Sequence, residues 1–350
     1  MARTHVVGLD LGATQVRGAE LEFGKEGPQA DARATLVRYG AVDLPPGSVH
    51  DSEVVDTQAV ADALRRLWTQ AGFTTKNVVI GVGNQRIVVR EIELPWMPMA
   101  DLKRSLPFQV ADLLPMPVDE ALLDFVPTEE VSHSGARQVR GMLVAARRDT
   151  VGTNLRAVEA AGLRPLMVDL SAFALQRALI RGARRDQTVA VVDIGERATT
   201  VLVAARGVPK LVRIIAAEGM EAADAVATGR LTVEAGERHG IGAVPTGVGL
   251  REPATAAVSE VTRSLVESIR NTFVYYASQH PGAGIDLALL TGGGADLGGF
   301  RRRLASESRM PVAIADPLEW VDVDAELASS LAGQLDRLAV SIGLAQGVAS

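Results

Sequence analysis

Cysteine is absent from this sequence of 350 residues, and aromatic residues make up only 4% of it. The lack of cysteine excludes disulfide bonds and cysteine-ligated zinc, and it is typical of proteins in a reducing compartment. No apolar run approaches the roughly 18 residues that a membrane-spanning helix needs. The first residues, MARTHVVGLDLG, also lack the apolar stretch of a secretory signal peptide. We therefore expect a cytoplasmic protein.

An excess of basic residues is also missing, since 36 Lys and Arg stand against 42 Asp and Glu, for a net charge of −6. Proteins that bind nucleic acid usually carry a strongly basic face, so we expect no nucleic-acid partner. Hydrophobic residues, at 47% of the chain, are abundant enough for a large core. A chain of this length exceeds one typical core and predicts two domains or one large lobed structure.

A strand-and-turn pattern occurs twice in the sequence. The stretch GLDLGATQVR at 8–17 is an apolar run that ends on Asp10 and Gly12 before a second strand. The stretch VVDIGERATT at 191–200 repeats it 183 residues further along, with Asp193 in the place of Asp10. A repeat at this distance is too long for a solenoid and indicates a duplicated domain.

The repeated pattern favours a site for phosphate and a divalent cation. Asp10 and Asp193 each end a buried strand, and paired carboxylates are the hard oxygen ligands that Mg²⁺ binds together with phosphates. The glycines that follow allow backbone N–H groups to approach an anion, and Thr14 and Thr199 add hydroxyl donors. Three further glycines at 292–294 follow a strand. Each motif alone is usually a turn, but the three together predict a phosphate site.

Hydrophobic periodicity predicts several helices. Apolar residues recur at helical spacing over 60–71, where Gly72 follows as a C-cap, and again over 258–276. A further helix is expected to begin at Asp149 or Thr150, which are good capping residues.

The three glycine-containing motifs resemble those of the actin–hexokinase–Hsp70 superfamily. In that resemblance, 8–17 and 191–200 match the two phosphate loops and 289–300 matches the adenosine loop, while 169–180 and 338–347 match the connecting helices. It implies an α/β, actin-like (ribonuclease H-like) fold of two lobes, with ATP and Mg²⁺ between them.

The segment between the two hairpins resembles a narrower family. LPFQVADLLPMPVDEALLDF at 106–125 and the stretch 141–179 are similar to the type IV pilus assembly protein PilM family, which shares an inserted subdomain with the cell-division protein FtsA. Prolines at 107, 115 and 117 are expected to interrupt the helix that begins this segment. The last residues lack the basic amphipathic helix of FtsA proteins, which favours the PilM family.

The resemblance implies a division of the chain into four parts. These are a first lobe core at 1–83 and 166–186, an inserted subdomain at 84–165, a second lobe core at 187–214 and 286–350, and a helical nucleotide-side subdomain at 215–285.

The family resemblance also implies a function and partners. A member would be a cytoplasmic ATP-binding protein of the pilus assembly platform, at the inner face of the membrane and attached to it only through its partner. It would bind the cytosolic N-terminal tail of PilN and link it to the pilus motor ATPases. A peptide groove needs apolar lining or an open strand edge, and the candidate residues for it are Leu113, Leu114, Met116, Pro117 and Phe125.

The nucleotide-site residues that the resemblance implies include Asp10 and Asp193 as the metal ligands. The remaining nucleotide-binding candidates are Gly12, Thr14, Gln15, Arg17, Gly195, Thr199, Glu234, Arg238, Gly292, Gly293 and Gly294. Arg17 stands where the family usually has lysine, and Glu237 stands where the superfamily often has a lysine after Glu234. Asp169 is the candidate catalytic residue that would orient water, although Ser171 occupies a position that is commonly acidic. We therefore expect ATP binding with slow hydrolysis at most.

Two other interpretations stay open at this point. A sugar or small-molecule kinase of the same superfamily would need a catalytic base, commonly in an Asn-Asp pair between the phosphate loops, and no such pair is present. An FtsA-like cytoskeletal protein would form filaments with ATP.

Overall fold

The computed structural model describes residues 3–25, 33–133, 135–216, 252–295 and 299–349. Its strands are β1 (Thr4–Leu11), β2 (Gln15–Phe23), β3 (Ala34–Asp43), β4 (Val49–His50), β5 (Glu53–Val54), β6 (Asn77–Val82), β7 (Val88–Pro95), β8 (Ala121–His133), β9 (Ala136–Arg147), β10 (Arg164–Leu170), β11 (Thr188–Ile194), β12 (Ala198–Ala205), β13 (Val208–Ala216), β14 (Leu287–Thr291), β15 (Val312–Ile314) and β16 (Val321–Val323).

The α-helices in the same residues are connected to these strands by loops and short 3₁₀ turns. They are α1 (Thr57–Ala71), α2 (Met99–Gln109), α3 (Arg148–Ala160), α4 (Ser171–Leu179), α5 (Glu252–Gln279), α6 (Phe300–Ser308), α7 (Ala325–Ser330) and α8 (Ala339–Ala345). No described helix is both long enough and apolar enough to cross a membrane.

The first lobe is built on a sheet with the strand order β10-β6-β1-β2-β3-β16. Strand β1 is antiparallel to β2 and parallel to β6. Because successive side chains point to opposite faces, Val6 packs with the core formed by α4 and α8, while Val7 and Leu9 pack with the core formed by α1. A strand covered on both faces must be apolar throughout, which explains the sequence VVGLDL before the turn.

Helix α1 ends at the predicted C-cap, and its start is capped by an aspartate. The side chain of Asp56 caps it by accepting a hydrogen bond from the backbone N–H of Ala59 at 2.9 Å. It ends at Gly72, whose φ of 66° lies in the left-handed region that favours glycine.

The second lobe repeats the hairpin on a sheet with the order β13-β12-β11-β14-β15. Helices α5 and α6 cover one of its faces. The long amphipathic helix predicted over 258–276 is confirmed as part of α5, which buries Leu265, Ile269, Phe273 and Tyr276 against the sheet.

The segment between the lobes forms a separate sheet with the order β7-β9-β8, covered by α2. Helix α2 continues through Pro107 to Gln109, so the expected interruption at Pro107 is wrong. Burial of Leu102 and Leu106 on the sheet offsets the loss of one backbone hydrogen bond, and the other two prolines follow the helix. We call β7, β8, β9 and α2 the inserted sheet.

Helix α3 leaves the inserted sheet and packs on the first lobe, where Ala157 and Val158 join the core under α1. Its predicted cap at Asp149 or Thr150 is wrong, because the N-cap residue is Arg147 and no side chain caps the helix. Asp149 lies one position inside the helix and accepts a hydrogen bond from the N–H of Thr150 at 2.8 Å. A carboxylate in the first turn still interacts favourably with the helix dipole.

The C-terminal segment also returns to the first lobe. Strand β16 pairs with β3, and α8 lies across β1 and α4. The approach is close, because a Cβ atom on Gly8 would lie 1.9 Å from the carbonyl oxygen of Ser341, and one on Gly343 would lie 1.9 Å from that of Ala174. These two glycines therefore allow α8 to pack closely against β1 and α4.

Candidate functional site

A cavity between the lobes collects most of the predicted nucleotide residues. It is lined by the turns of both hairpins, the glycine cluster after β14, and the turn before α8. The lining residues that the sequence predicted are Asp10, Gly12, Arg17, Asp193, Gly195, Gly292, Gly293 and Gly294. We call this space the nucleotide cavity.

The two hairpins that face the cavity have the same turn. In the first, the N–H of Gly12 donates to the carbonyl of Gln15 at 3.0 Å, and in the second the N–H of Gly195 donates to the carbonyl of Ala198 at 3.0 Å. The sequence repeat is thus also a repeat of backbone geometry, and it places one carboxylate from each lobe at the cavity.

The first of these carboxylates, Asp10, is held by a guanidinium. Nη1 of Arg17 lies 3.3 Å from Oδ2 of Asp10, and Nη2 of Arg17 donates to Oε1 of Gln15 at 3.2 Å. Burial raises the pKa of Asp10 from its ordinary value, and the charge of Arg17 opposes that rise. The Nε atom of Arg17 is buried without a hydrogen-bond partner, so this arginine retains a donor.

The second carboxylate, Asp193, is more strongly perturbed. Burial, followed by the negative charge of Asp10, raises the pKa of Asp193 to about 7, although Arg17 acts in the opposite direction. The repulsion between these two half-buried carboxylates would be relieved by a divalent cation between them. The donor set therefore fits Mg²⁺, and the unpartnered Nε of Arg17 fits a phosphate.

The glycine cluster closes against the second hairpin. Gly292 has a φ of 85°, and a Cβ atom there would lie 2.5 Å from Oδ1 of Asp193. Its N–H donates to the carbonyl of Asp336 at 2.7 Å, and the N–H of Gly294 donates to the carbonyl of Ile194 at 3.0 Å. Two of the three backbone amides of the cluster are therefore already hydrogen-bonded within the protein. Its glycines serve mainly to let the backbone pass close to the cavity without side chains.

Several cavity residues were missed from the sequence. Thr200 lies directly opposite Asp193 in the hairpin, so strand register could have identified it. Glu196 follows the repeated glycine and could have been found from the repeat. Ser171 and Arg337 also line the cavity, but they come from connecting segments, and no local pattern indicates them.

The two predicted threonines have different positions. Thr14 Oγ1 donates to Oε2 of Glu196 at 2.5 Å, a bond that joins the turns of the two hairpins. Thr199 does not line the cavity, because it is fully buried and its hydroxyl has no hydrogen-bond partner. Its neighbour Thr200 lines the cavity instead, since adjacent strand residues point to opposite faces. Gln15 donates to Asp43 at 2.6 Å.

The candidate catalytic residue lies elsewhere. Asp169 forms an ion pair with Arg177 and accepts the N–H of Leu170 at 2.8 Å. It lines a second cavity, whereas Ser171, two residues later, lines the nucleotide cavity. The expectation that Asp169 orients water at the nucleotide is therefore not supported by its position. Glu234 and Arg238 lie outside the described residues.

The second cavity lies between the inserted sheet and the first lobe, with a volume of about 620 Å³. We call it the groove. Its apolar walls include Leu122, Val126 and Val144 from the inserted sheet and Val168 and Phe173 from the first lobe. Within the described residues, both bordering strands are at sheet edges, because β8 pairs only with β9 and β10 pairs only with β6.

The predicted partner residues do not line this groove. Phe125 is 2% exposed and packs in the core beneath α2, because it points to the opposite face of β8 from Val126. Its burial excludes the contact with a partner that was expected of it. The others lie in the loop between α2 and β8, where Leu113 and Pro117 are exposed and Leu114 and Met116 are half-buried.

The two lobes, each with a hairpin that carries an aspartate to a shared cavity, define a protein of the actin-like fold class. A chain of the solved PilM–PilN type IV pilus biogenesis complex superposes with a TM-score of 0.81 at 24% identity, over 100% of both chains. The ethanolamine utilization protein EutJ from Carboxydothermus hydrogenoformans gives 0.51 at 14% identity, over 99% of this chain and 90% of its own.

The family model of the type IV pilus assembly protein PilM matches residues 8–347, and the chain belongs to that family. The cell-division protein FtsA of Bacillus subtilis is 23% identical over 66% of this chain and 56% of its own length. FtsA of Streptococcus pneumoniae is 25% identical over 55% of this chain and 46% of its own length. The chain thus spans about half the length of these relatives. The fold class and the family predicted from the sequence are confirmed.

Proposed function

We propose that this protein is a nucleotide-binding adaptor of a type IV pilus assembly platform, cytoplasmic and attached to the inner membrane only through its partner. It binds Mg²⁺–ATP in the nucleotide cavity and the N-terminal tail of a PilN-type membrane protein in the groove. The observation that carries the proposal is the pairing of an aspartate from each lobe at one cavity with an apolar groove beside the inserted sheet.

The nucleotide part rests on the charged residues of the cavity. Asp10 and Asp193 would hold Mg²⁺, and Arg17 and Arg337 would hold phosphate oxygens. The bound cation would neutralise phosphate charge. Hydrolysis also needs a group that orients the attacking water, and Asp169 is bound to Arg177 at a different cavity. We infer that hydrolysis is slow at most.

The peptide part rests on the groove. Edge strands offer unpaired backbone N–H and C=O groups, and an extended peptide can add to such an edge while its side chains enter apolar pockets. Here both β8 and β10 present an edge, and most of the residues that line the space between them are apolar. The solved relative is a complex of PilM with PilN, and a PilN-type tail is the partner we propose for this chain. Motor ATPases of the pilus are proposed as further partners.

A binding experiment with matched variants tests the peptide part. A fluorescent peptide copying about the first ten residues of the PilN-type protein from the same organism is titrated with the full chain, and binding is followed by anisotropy. Val126→Asp places a charge on the groove wall and should weaken binding by about tenfold or more. Leu113→Asp, in the loop between α2 and β8, is the control. Leu113 is 37% exposed and outside the groove, so this variant should bind like wild type. Equal binding by all three proteins contradicts the proposal.

The nucleotide part is tested by calorimetric titration with ATP and with ADP in the presence of Mg²⁺. Both should bind, and Asp10→Asn should weaken both because it removes one of two cation ligands. Absence of heat and of any shift in melting temperature with either nucleotide would eliminate this part, while leaving the peptide proposal to its own test.

A further inference from the structure

The turns of the two hairpins are joined across the nucleotide cavity by a side chain that the phosphate motifs do not require. Glu196 follows Gly195 in the second turn, and its Oε2 accepts a hydrogen bond from Oγ1 of Thr14 in the first turn at 2.5 Å. Both side chains are half-buried. The hydroxyl of Thr14 is therefore already hydrogen-bonded to the carboxylate of Glu196, whose negative charge lies between the two turns.

Acidic side chains outnumber basic ones among the described residues that line the cavity, and a cation held by Asp10 and Asp193 would offset two of them. The described lining of the cavity contains five acidic side chains, which are Asp10, Asp51, Asp193, Glu196 and Asp336. It contains three basic ones, which are Arg17, Arg197 and Arg337. The charge of Glu196 is felt at the centre of the site, because it interacts with both Asp10 and Arg17.

We propose that Glu196 makes this cavity select nucleoside diphosphates over nucleoside triphosphates. The proposal rests on the proposed nucleotide function and names the ligand class of that same site. Two observations carry it: the bond from Thr14 to Glu196 across the cavity, and the position of the Glu196 side chain in the lining of that same cavity.

The physical reason is that a triphosphate brings one more phosphoryl group, and more negative charge, than a diphosphate. The two turns are the parts of the cavity from opposite lobes that would hold the phosphates. A triphosphate would have to take the hydroxyl of Thr14 from Glu196, or accept the repulsion of that carboxylate at short range in a partly desolvated space. A diphosphate leaves the bond between Thr14 and Glu196 intact and is repelled less.

The same contact gives the diphosphate complex a specific structural consequence. Because the hydrogen bond joins one lobe to the other, a ligand that preserves it binds to closed lobes without rearrangement of the turns. A ligand that breaks it must supply a replacement for the cross-cavity contact. The preference is therefore a property of one side chain and can be removed by a substitution that keeps its shape.

The test is calorimetric titration of the full chain with ADP and with a non-hydrolysable ATP analogue, at the same millimolar Mg²⁺ concentration. Wild type should bind ADP more tightly, by about tenfold or more. Glu196→Gln keeps the size of the side chain and an acceptor for Thr14 but removes the charge. It should bind the ATP analogue about tenfold more tightly than wild type, and the ratio of the two affinities should approach one.

Glu307→Gln is the matched control. Glu307 lies on α6, pairs with Arg303 at 3.0 Å and is not part of the cavity lining. The Glu307→Gln substitution removes one negative charge from the same lobe as Glu196, and the preference for ADP should persist in this variant. A general effect of net charge would instead change both variants alike and would overturn the assignment to Glu196.

The remaining outcomes separate the inference from the proposed function. Binding of both nucleotides by wild type with equal affinity, or with the ATP analogue tighter, overturns the inference and leaves the nucleotide function standing. A parallel change of both affinities in Glu196→Gln also overturns it. Failure of wild type and of Glu196→Gln to bind any nucleotide overturns the inference together with the nucleotide function.

Discussion

At the scale of single residues, the aspartates of the two hairpins carry both the proposed function and a cost in stability. Asp193 is half-buried and interacts with Asp10, and its pKa is raised to about 7 by desolvation and by the charge of Asp10. A raised carboxyl pKa means that the folded state holds the proton more tightly than the unfolded chain. The contribution of this group to stability is therefore greatest below the unfolded pKa, and it is lost as the pH rises towards 7.

This reasoning predicts that, without divalent cations, the wild-type protein loses free energy of unfolding between about pH 5 and about pH 8. Asp193→Asn has no charge to desolvate at this position, so its free energy of unfolding should fall less than that of wild type. The two falls should differ by about 2–3 kcal/mol across that pH range. Urea titrations at several pH values in a chelating buffer measure it. Asp10 keeps its own raised pKa in the variant, so some slope remains, but parallel curves for the two proteins would contradict the prediction.

A second prediction at this scale concerns the adjacent threonines of β12. Thr199 buries a hydroxyl that has no partner, so Thr199→Val should raise the free energy of unfolding by about 1 kcal/mol. Thr200 lines the nucleotide cavity, so Thr200→Val should weaken nucleotide binding instead. Chemical denaturation and calorimetry on both variants distinguish the two faces, and an affinity loss in Thr199→Val would show that the placement is wrong.

At the scale of elements, the crossing of α8 over α4 explains why glycines recur in the connecting segments. Gly343 has the carbonyl of Ala174 where its Cβ would be, at 1.9 Å. A backbone carbonyl cannot rotate away as a side chain can, so a methyl group there forces the helices apart. The predicted C-terminal helix over 338–347 is present as α8 with 3₁₀ turns at both ends, but its sequence does not reveal this contact.

Gly343→Ala should lower the free energy of unfolding by about 1–3 kcal/mol, as overpacking does elsewhere. Gly152→Ala is the opposite case, because Gly152 lies inside α3 and an added Cβ would meet only the end of Arg156 at 3.4 Å. It should be neutral or stabilise by up to about 1 kcal/mol, because alanine is the better helix former. Thermal denaturation of both variants measures the pair, and equal shifts would contradict the close helix crossing.

Some helices and strands are predicted correctly from the sequence, and others are not. The hairpins, α1 and α5 have strong periodicity, and their presence was predicted correctly. The continuation of α2 through Pro107 was not, because the packing of Leu102 and Leu106 on the inserted sheet outweighs a local preference. The N-cap of α3 was placed two or three residues too late, because the N-cap residue is Arg147, whose side chain does not cap the helix.

At the scale of the whole molecule, the inserted sheet is tied to both lobes. On one side it forms the groove with the first lobe. On the other, Glu91 of β7 accepts a hydrogen bond from Nζ of Lys210 of β13 at 2.8 Å, and their side chains are 24% and 15% exposed. A partly buried pair is screened less by salt than a surface pair, so it should contribute more.

A double-mutant cycle of Glu91→Gln and Lys210→Met should therefore give a coupling of about 1 kcal/mol or more. The exposed pair of Arg137 and Glu130 on the inserted sheet, 58% and 62% exposed, is the control and should give less than about 1 kcal/mol. Urea denaturation of each set provides the values. A coupling at Glu91 no larger than that of the control would mean that the contact does not tie the sheet to the second lobe.

The sequence by itself determined the duplicated hairpins, the class of the fold and the two acidic positions, together with the family resemblance. The hairpins and the acidic positions follow from local rules, whereas the fold class and the family follow from the resemblance. A strand that is buried on both faces must be apolar, and where it ends on Asp and Gly the backbone and carboxylate are available to a ligand. Such patterns are readable within about ten residues and are repeated in this chain.

Only the tertiary structure decided which residues that are distant in the sequence come into contact. Thr14 and Glu196 are remote in the chain but are hydrogen-bonded across the cavity. Asp169, by contrast, forms an ion pair with Arg177 outside the nucleotide cavity. The groove arises where the edges of two different sheets come together. No local sequence pattern encodes the distance between those two edges. The reason is physical: the direction of a side chain is set by its own strand, but its partner is set by how separate layers pack.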